Sequence, residues 1–133
     1  MGFAALNPSY ASWTKGRLTL LGDAAHPMLP HLGQGVNQSI EDGMALATIL
    51  ARADRKTAPA ALAAYERLRR ERVAQVQRGA RENGMRYDSA YSDLGVRDAE
   101  IAAHAAFRKR LYDHDVVPDA QAAAAALTRY AAT

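Results

Sequence analysis

Two short stretches, Gly22-Asp23-Ala24-Ala25-His26-Pro27 and Pro30-His31-Leu32-Gly33-Gln34-Gly35-Val36-Asn37, hold most of the residues whose types and spacing suit chemistry. Asp23 closes an apolar run, Arg17 to Leu21. A carboxylate at a strand end can accept hydrogen bonds from ribose or ribityl hydroxyls. The competing reading is a turn aspartate that bonds its own backbone. Ala24 and Ala25 are small enough for the backbone to pass close to another group. Gly33 and Gly35 permit positive φ and close approach of a ligand. A helical pattern follows them, and the first N–H groups of a helix have no intrahelical acceptor. With the helix dipole they form a site for phosphate or for negative charge on a ring. Taken alone, this GxG is weak evidence and reads first as a tight turn that caps a helix.

His26 and His31 lie five residues apart in the same stretch. An imidazole titrates near neutrality and can serve as a general base. Two histidines without further ligands nearby give no case for a metal. His104 and His114 fall in helical or turn contexts suited to packing or solvent.

These groups need elements to position them. Arg17–Leu21 reads as a short buried strand ended by Gly22. Pro27 and Pro30 exclude a regular helix from residues 22–35, which form a loop. A helix is expected from Gln34 or Gly35 to about Ala53, with Val36, Ile40, Met44, Ala47 and Leu50 or Ala51 on one apolar face. Pro59 suits the first turn of a second helix, with Thr57 as its cap, running to about Tyr87. Leu62, Tyr65, Leu68, Val73 and Val76 give it an apolar side, while Gly79 and Gly84 weaken it locally. After a turn over 88–95, a third helix spans Val96–Leu111, with Ile101, Ala105 and Leu111 as candidate buried positions. Pro118 opens an alanine-rich fourth helix. Residues 1–16 read as an irregular lead-in.

The fold class is therefore mostly α: one short strand, a loop and about four helices, in a single partial domain. A lone strand cannot satisfy its own backbone groups and needs sheet neighbours. One strand followed by four helices reads as part of something larger.

Its 133 residues bound one domain with a modest core. Cysteine is absent, which excludes disulfides and thiol chemistry. No apolar run approaches the roughly 20 residues of a membrane span, and residues 1–7 lack the features of a secretory signal. A cytoplasmic location with no membrane partner is expected. The net charge of +3 gathers around Arg67, Arg69, Arg70, Arg72, Arg78, Arg81 and Arg86. Glu66, Glu71 and Glu82 interleave with them and aromatic residues do not, which favours a solvated helix face over a nucleic-acid surface.

Strand, Gly-Asp-Ala-Ala-His-Pro, Pro-x-x-Gly-Gln-Gly-x-Asn and a helix carrying Glu41-Asp42 together resemble the second FAD signature of the class A flavoprotein monooxygenases, the family of para-hydroxybenzoate and salicylate hydroxylases. Ala60 to Glu66 with Arg69, Arg70 and Arg72, then Asn83-Gly84, and Leu111 to Val116 are similar to the salicylate hydroxylase branch. The resemblance implies an incomplete piece of the α/β FAD-binding fold, with the signature over 17–53 and the C-terminal helices over 59–131.

It also implies FAD as cofactor, NADH or NADPH as electron donor and a small aromatic substrate that receives one oxygen atom of O₂. Gly22, Asp23, Pro30, Gly33, Gln34, Gly35, Val36 and Asn37 would bind the cofactor. Pro30 and His31 would face the reacting centre, whereas Asp42 would support the loop. The family's amino-terminal GxGxxG motif is absent from this chain. A truncated frame, a split subunit with an N-terminal partner chain, and a non-catalytic helical module or homo-oligomer all remain open. The hydroxylated ring is not legible.

Overall fold

The structure is a computed structural model. It describes residues 10–130, with side chains considered for residues 10–127. Most of the expected lead-in and the last expected helical residue, Ala131, lie outside the described residues.

In chain order, the elements are β1 (Thr14–Lys15), β2 (Leu18–Thr19), single 3-10 turns at Gly22–Ala24 and Pro30–Leu32, and four helices. The helices are α1 (Gly35–Leu50), α2 (Ala58–Tyr87), α3 (Leu94–Tyr112) and α4 (Val117–Tyr130). The expected single strand is half of an antiparallel hairpin, with Thr14 opposite Thr19 and Lys15 opposite Leu18. Its partner comes from the stretch expected to be irregular. The strand is not buried: Leu18 is 76% exposed.

A hairpin of two-residue strands is too small to be stable alone, and side chains on α2 hold it. Glu66 accepts from the Trp13 and Thr14 backbone N–H groups, each at 2.9 Å, and from Ser12 Oγ at 2.9 Å. Thr14 Oγ1 donates to the Leu62 carbonyl. Trp13 then packs into the core beside His26 and Tyr65.

α2 starts beside Thr57, as expected, but the Thr57 side chain does not cap it. Asp54 closes the turn instead, its Oδ1 accepting from the backbones of Lys56 and Thr57, each at 2.8 Å. Leu62, Tyr65, Val73 and Val76 are buried along α2. Fully burying each such side chain stabilises the fold by about 1.5–3 kcal/mol. The main core joins Trp13, Ala25, Ala45, Ile49, Ala61, Tyr65, Val73, Val116 and Ala120, so α1, α2 and α4 enclose it. Small alanines on α4 let it lie close to the other two.

Gly79 and Gly84 do more than weaken α2. A Cβ on Gly79 would lie 2.5 Å from the Phe107 ring, and one on Gly84 would lie 2.6 Å from His31 Cδ2. The first gap admits α3 and the second admits the loop before α1.

Two expected faces differ. Val36, Ile40 and Met44 are exposed, at 72%, 59% and 48%. The buried face of α1 is instead Gln38, Asp42, Ala45 and Ile49. On α3, Leu111 is buried as expected, but Ile101 and Ala105 are exposed. Asp93 caps α3, accepting from the N–H groups of Gly95 and Val96.

Candidate functional site

The loop between β2 and α1 turns twice. Gly22 opens the first turn at φ +60°, a conformation that disfavours other residues. Its carbonyl accepts from the N–H groups of Ala25 and His26 at 2.9 Å. Pro30 opens the second turn, and Gly33 ends it at φ +62°. Of the two glycines read as permitting positive φ, Gly33 uses it and Gly35 does not.

Between these turns lies a cavity of about 510 Å³. Asp23, Pro30, Gly33, Gln34, Gly35 and Val36 line it, together with Met28, Leu29, Ser39 and Ile40. The Asp23 carboxylate faces the start of α1: its Oδ1 lies 3.7 Å from where a Cβ on Gly35 would sit. The amides of Gly35, Val36 and Asn37 precede the first α1 hydrogen bond, Gln38 N–H to the Gln34 carbonyl at 2.9 Å. One carboxylate, a helix start and a floor of small residues thus share one opening.

The remaining expected site residues lie elsewhere. Gly22 is buried behind the cavity wall, where a Cβ would lie 2.8 Å from Ser39 Oγ. Asn37 is exposed and does not line the cavity. His31, next to Pro30 in sequence, opens on a different cavity with Asn83, Arg86, Tyr87 and His104.

Asp42 holds the loop from behind. It is fully buried, and its Oδ2 accepts from the Gly22 N–H at 2.9 Å and contacts His26 Nε2 at 2.5 Å. Its Oδ1 accepts from Arg69 Nε at 2.7 Å. Arg69, also fully buried, donates to Glu41 Oε2 at 2.6 Å and to Gln38 Oε1 at 2.8 Å. Arg72 pairs with the other oxygen of Glu41 at 3.1 Å.

Burial alone would raise the Asp42 carboxyl. Hydrogen bonds from His26, Arg69 and Gly22 outweigh it and hold Asp42 below the usual carboxylate range. Glu41 is lowered likewise, with Arg72 and Arg69 outweighing burial. Burial, and then the Asp42 charge, pushes the Tyr65 phenol up, so it stays neutral beside this cluster.

His26 belongs to this support and not to the cavity. It is buried, faces Asp42 on one side and leaves Nδ1 without a hydrogen-bond partner. Sequence reasoning missed Arg69 as a positioning residue and placed it with the solvated arginines. Arg67, Arg70, Arg78 and Arg81 do fit that face, being exposed. No group of three or more His, Asp or Glu among the described residues is arranged to hold a metal ion.

A carboxylate beside a helix start, below a glycine-bearing turn, can accept hydrogen bonds from hydroxyls and place amides against negative charge. The chain belongs to the family described as FAD binding domain, whose profile matches residues 6–80. It is 56% identical over 72 residues to 3-amino-4-hydroxybenzoate 2-monooxygenase of Streptomyces platensis, covering 54% of this chain and 18% of that protein. Salicylate hydroxylase of Pseudomonas putida is 37% identical over 115 residues, covering 84% of this chain and 26% of its own length. For 6-hydroxynicotinate 3-monooxygenase of Pseudomonas fluorescens the identity is 48% over 71 residues, covering 53% and 18%. The resemblance to class A FAD monooxygenases therefore stands, and this chain spans only about a fifth to a quarter of the length of these relatives.

Proposed function

We propose that the chain is the C-terminal FAD-binding segment of a flavin-dependent aromatic hydroxylase that takes electrons from NADH or NADPH. The observation that carries this reading is the Asp23 carboxylate beside Gly35 in one cavity at the α1 start. Asp23 suits a ribityl hydroxyl. The amides of Gly35, Val36 and Asn37 suit negative charge on a phosphate or on reduced flavin. Flavin, when bound, supplies activation of O₂ for transfer of one oxygen atom to an aromatic ring.

What this chain's own residues do is bind and orient. Asp42, through Gly22, His26 and Arg69, fixes the loop so that Asp23 and the helix start stay aligned. Pro30 and the apolar Met28, Leu29, Val36 and Ile40 give the cavity an apolar side, which is open to solvent at Val36 and Ile40. Hydroxybenzoate, salicylate and hydroxynicotinate, named for the relatives, are all aromatic carboxylates, which makes that class the proposed substrate.

A partner is part of the reading. Val36, Ile40 and Met44 form an uncovered apolar stripe on α1, and two of them also line the cavity. The relatives carry about three quarters or more of their length outside the matched region. The fitting occupant is the nucleotide-binding unit bearing GxGxxG, supplied by a separate chain or by preceding sequence. Apart from it, the 133 residues bind FAD weakly and turn over little or nothing.

Flavin fluorescence tests this. FAD is titrated into the chain alone and into the chain mixed with the amino-terminal portion of the salicylate hydroxylase relative. Weak binding that the mixture strengthens, and that Asp23→Ala reduces roughly tenfold, about 1.4 kcal/mol, is the expected result. Tight stoichiometric binding by the chain alone defeats the partner reading. Absence of binding in both samples defeats the FAD reading.

A further inference from the structure

Pro30 lines the cavity at the α1 start, while His31 faces away from it, its ring edge-on to Tyr87 at 6.1 Å between centroids. The contacts that hold this part of the loop come from α2. Gln77 Nε2 donates to the Pro27 carbonyl at 3.0 Å, and Asn83 Nδ2 donates to the His31 carbonyl at 2.7 Å. Met28, Leu29 and Pro30, which line the cavity, are strung between those two carbonyls. The first turn is held separately, from α1, by Asp42 through Gly22 and His26.

The strung segment has little means to hold itself. Pro27 and Pro30 have no N–H to donate. The Gly33 N–H donates to the Pro30 carbonyl at 2.9 Å and closes the second turn, but that bond lies beyond Met28 and Leu29. Side-chain amides reach across instead.

The sequence of α2 is adapted to this task at a cost to the helix. Asn83 and Gly84 are both poor helix residues, yet they stand side by side inside α2. Each serves the same turn. Asn83 is buried, with its amide between the His31 carbonyl and Tyr87 Oη, the latter at 3.2 Å. Gly84 leaves the notch that the His31 ring occupies, where a Cβ would lie 2.6 Å from Cδ2. Gln77 and Gly84 are about two turns apart, so one stripe of α2 meets both ends of the segment. A local break of helix preference matched by contacts to one loop marks a place where position outweighs helix stability.

We infer that Gln77 and Asn83 are positioning residues for the cofactor cavity, a two-point clamp on α2 that sets the wall formed by Met28, Leu29 and Pro30. The inference rests on the flavin reading above, which makes that cavity the cofactor's. The clamp grips loop backbone and touches no ligand. Its loss frees Met28, Leu29 and Pro30 while Asp23 and the helix start stay in place, since Asp42 fixes those.

Gln77→Ala and Asn83→Ala test the clamp, singly and together. Alanine favours a helix, so neither change weakens α2 itself. Amide hydrogen exchange is measured on the full 133-residue chain at Gly33, with Ile49 as the core reference. Each variant is expected to speed exchange at Gly33 by at least about tenfold relative to Ile49. FAD is then titrated into each variant mixed with the amino-terminal portion of the salicylate hydroxylase relative, and affinity is expected to fall about tenfold. Tyr87→Phe keeps the bond from Asn83 to His31 and is expected to match the parent in both measurements. Should Asn83→Ala fail to fold, Asn83→Ser and Gln77→Ala carry the same comparison.

Equal loss of protection at Gly33 and Ile49 would mean that the two amides only stabilise the fold, and overturns the clamp. Faster exchange at Gly33 with unchanged FAD affinity overturns it too, as does a Tyr87→Phe variant as impaired as Asn83→Ala. If the parent mixture binds no FAD, the flavin reading fails, and the exchange comparison alone decides whether α2 positions this wall.

Discussion

Arg69 Nε donates to Asp42 Oδ1 at 2.7 Å, joining α2 to α1 through two side chains that are both fully buried. Neither charge has water to fall back on. Arg69→Met leaves buried Asp42 without its arginine and Glu41 with Arg72 alone, and removal of one partner from a buried pair costs about 3–5 kcal/mol. Arg69→Lys recovers only part of this, since one ammonium cannot reach Asp42, Glu41 and Gln38 together. Urea unfolding of the three proteins checks both statements, and a Met variant within about 1 kcal/mol of the parent contradicts them.

The same cluster sets the acid limit of the fold. Asp42, Glu41 and Glu66 all have carboxyls held below their ordinary values. For Glu66, burial opposes the shift, and hydrogen bonds from Trp13, Ser12 and Thr14 outweigh it. Each group therefore contributes stability that is fully present above the unfolded-state value of roughly 4. That contribution is lost as pH falls through the lowered folded-state value. Unfolding free energy measured from pH 7 to pH 3 is expected to be flat in these groups' contribution at the top and to fall steeply below about 4.

Gly22→Ala introduces two separate costs. The residue sits at φ +60° and its new Cβ would press on Ser39 Oγ at 2.8 Å. The backbone cost alone is about 1–2 kcal/mol. Adding Ser39→Ala relieves the crowding and leaves the backbone cost, so the double variant is more stable than Gly22→Ala yet less stable than Ser39→Ala. A thermodynamic cycle over the four proteins measures this.

Trp13 is the single tryptophan of the chain, and it reports on the hairpin. Glu66→Ala removes the acceptor shared by Ser12, Trp13 and Thr14. Hydrogen bonds to a charged group contribute about 1.5–3 kcal/mol. The expected readout is a red-shifted, more quenchable indole emission, while helical circular dichroism at low temperature changes little. An unchanged emission spectrum argues that packing against His26 and Tyr65 holds Trp13 without Glu66.

Helices were the legible part of this chain. Pro59, the apolar spacing through Val76 and the turn residues before Leu94 mark out α2 and α3 to within about two residues, the usual ambiguity of helix ends. Spacing could not show which face of α1 is covered. Val36, Ile40 and Met44 form a true apolar stripe, but in this chain the opposite face turns inward, because Asp42 and Gln38 meet Arg69. That pairing spans 27 residues of sequence and leaves no local trace. The hairpin was missed for a related reason: Thr14–Lys15 is too short for alternation to register, and Glu66, its anchor, is far away in sequence. The Gly-Asp-Ala-Ala and Gly-Gln-Gly segments were legible as a pair, and Asp23 and Gly35 do share a cavity. That His31 and Pro30 would face apart required coordinates.

The two indentations in α2, at Gly79 and Gly84, reverse an ordinary rule of helix engineering. Alanine at either position would make an isolated α2 peptide more helical, because glycine there disfavours the helix by about 1 kcal/mol. In the assembled molecule the same methyl group would evict a neighbour's ring, Phe107 in one case and His31 in the other. Sequence optimisation guided by helix content alone would thus improve the rod and spoil the joints, and at Gly84 the damage would reach the wall between the two cavities.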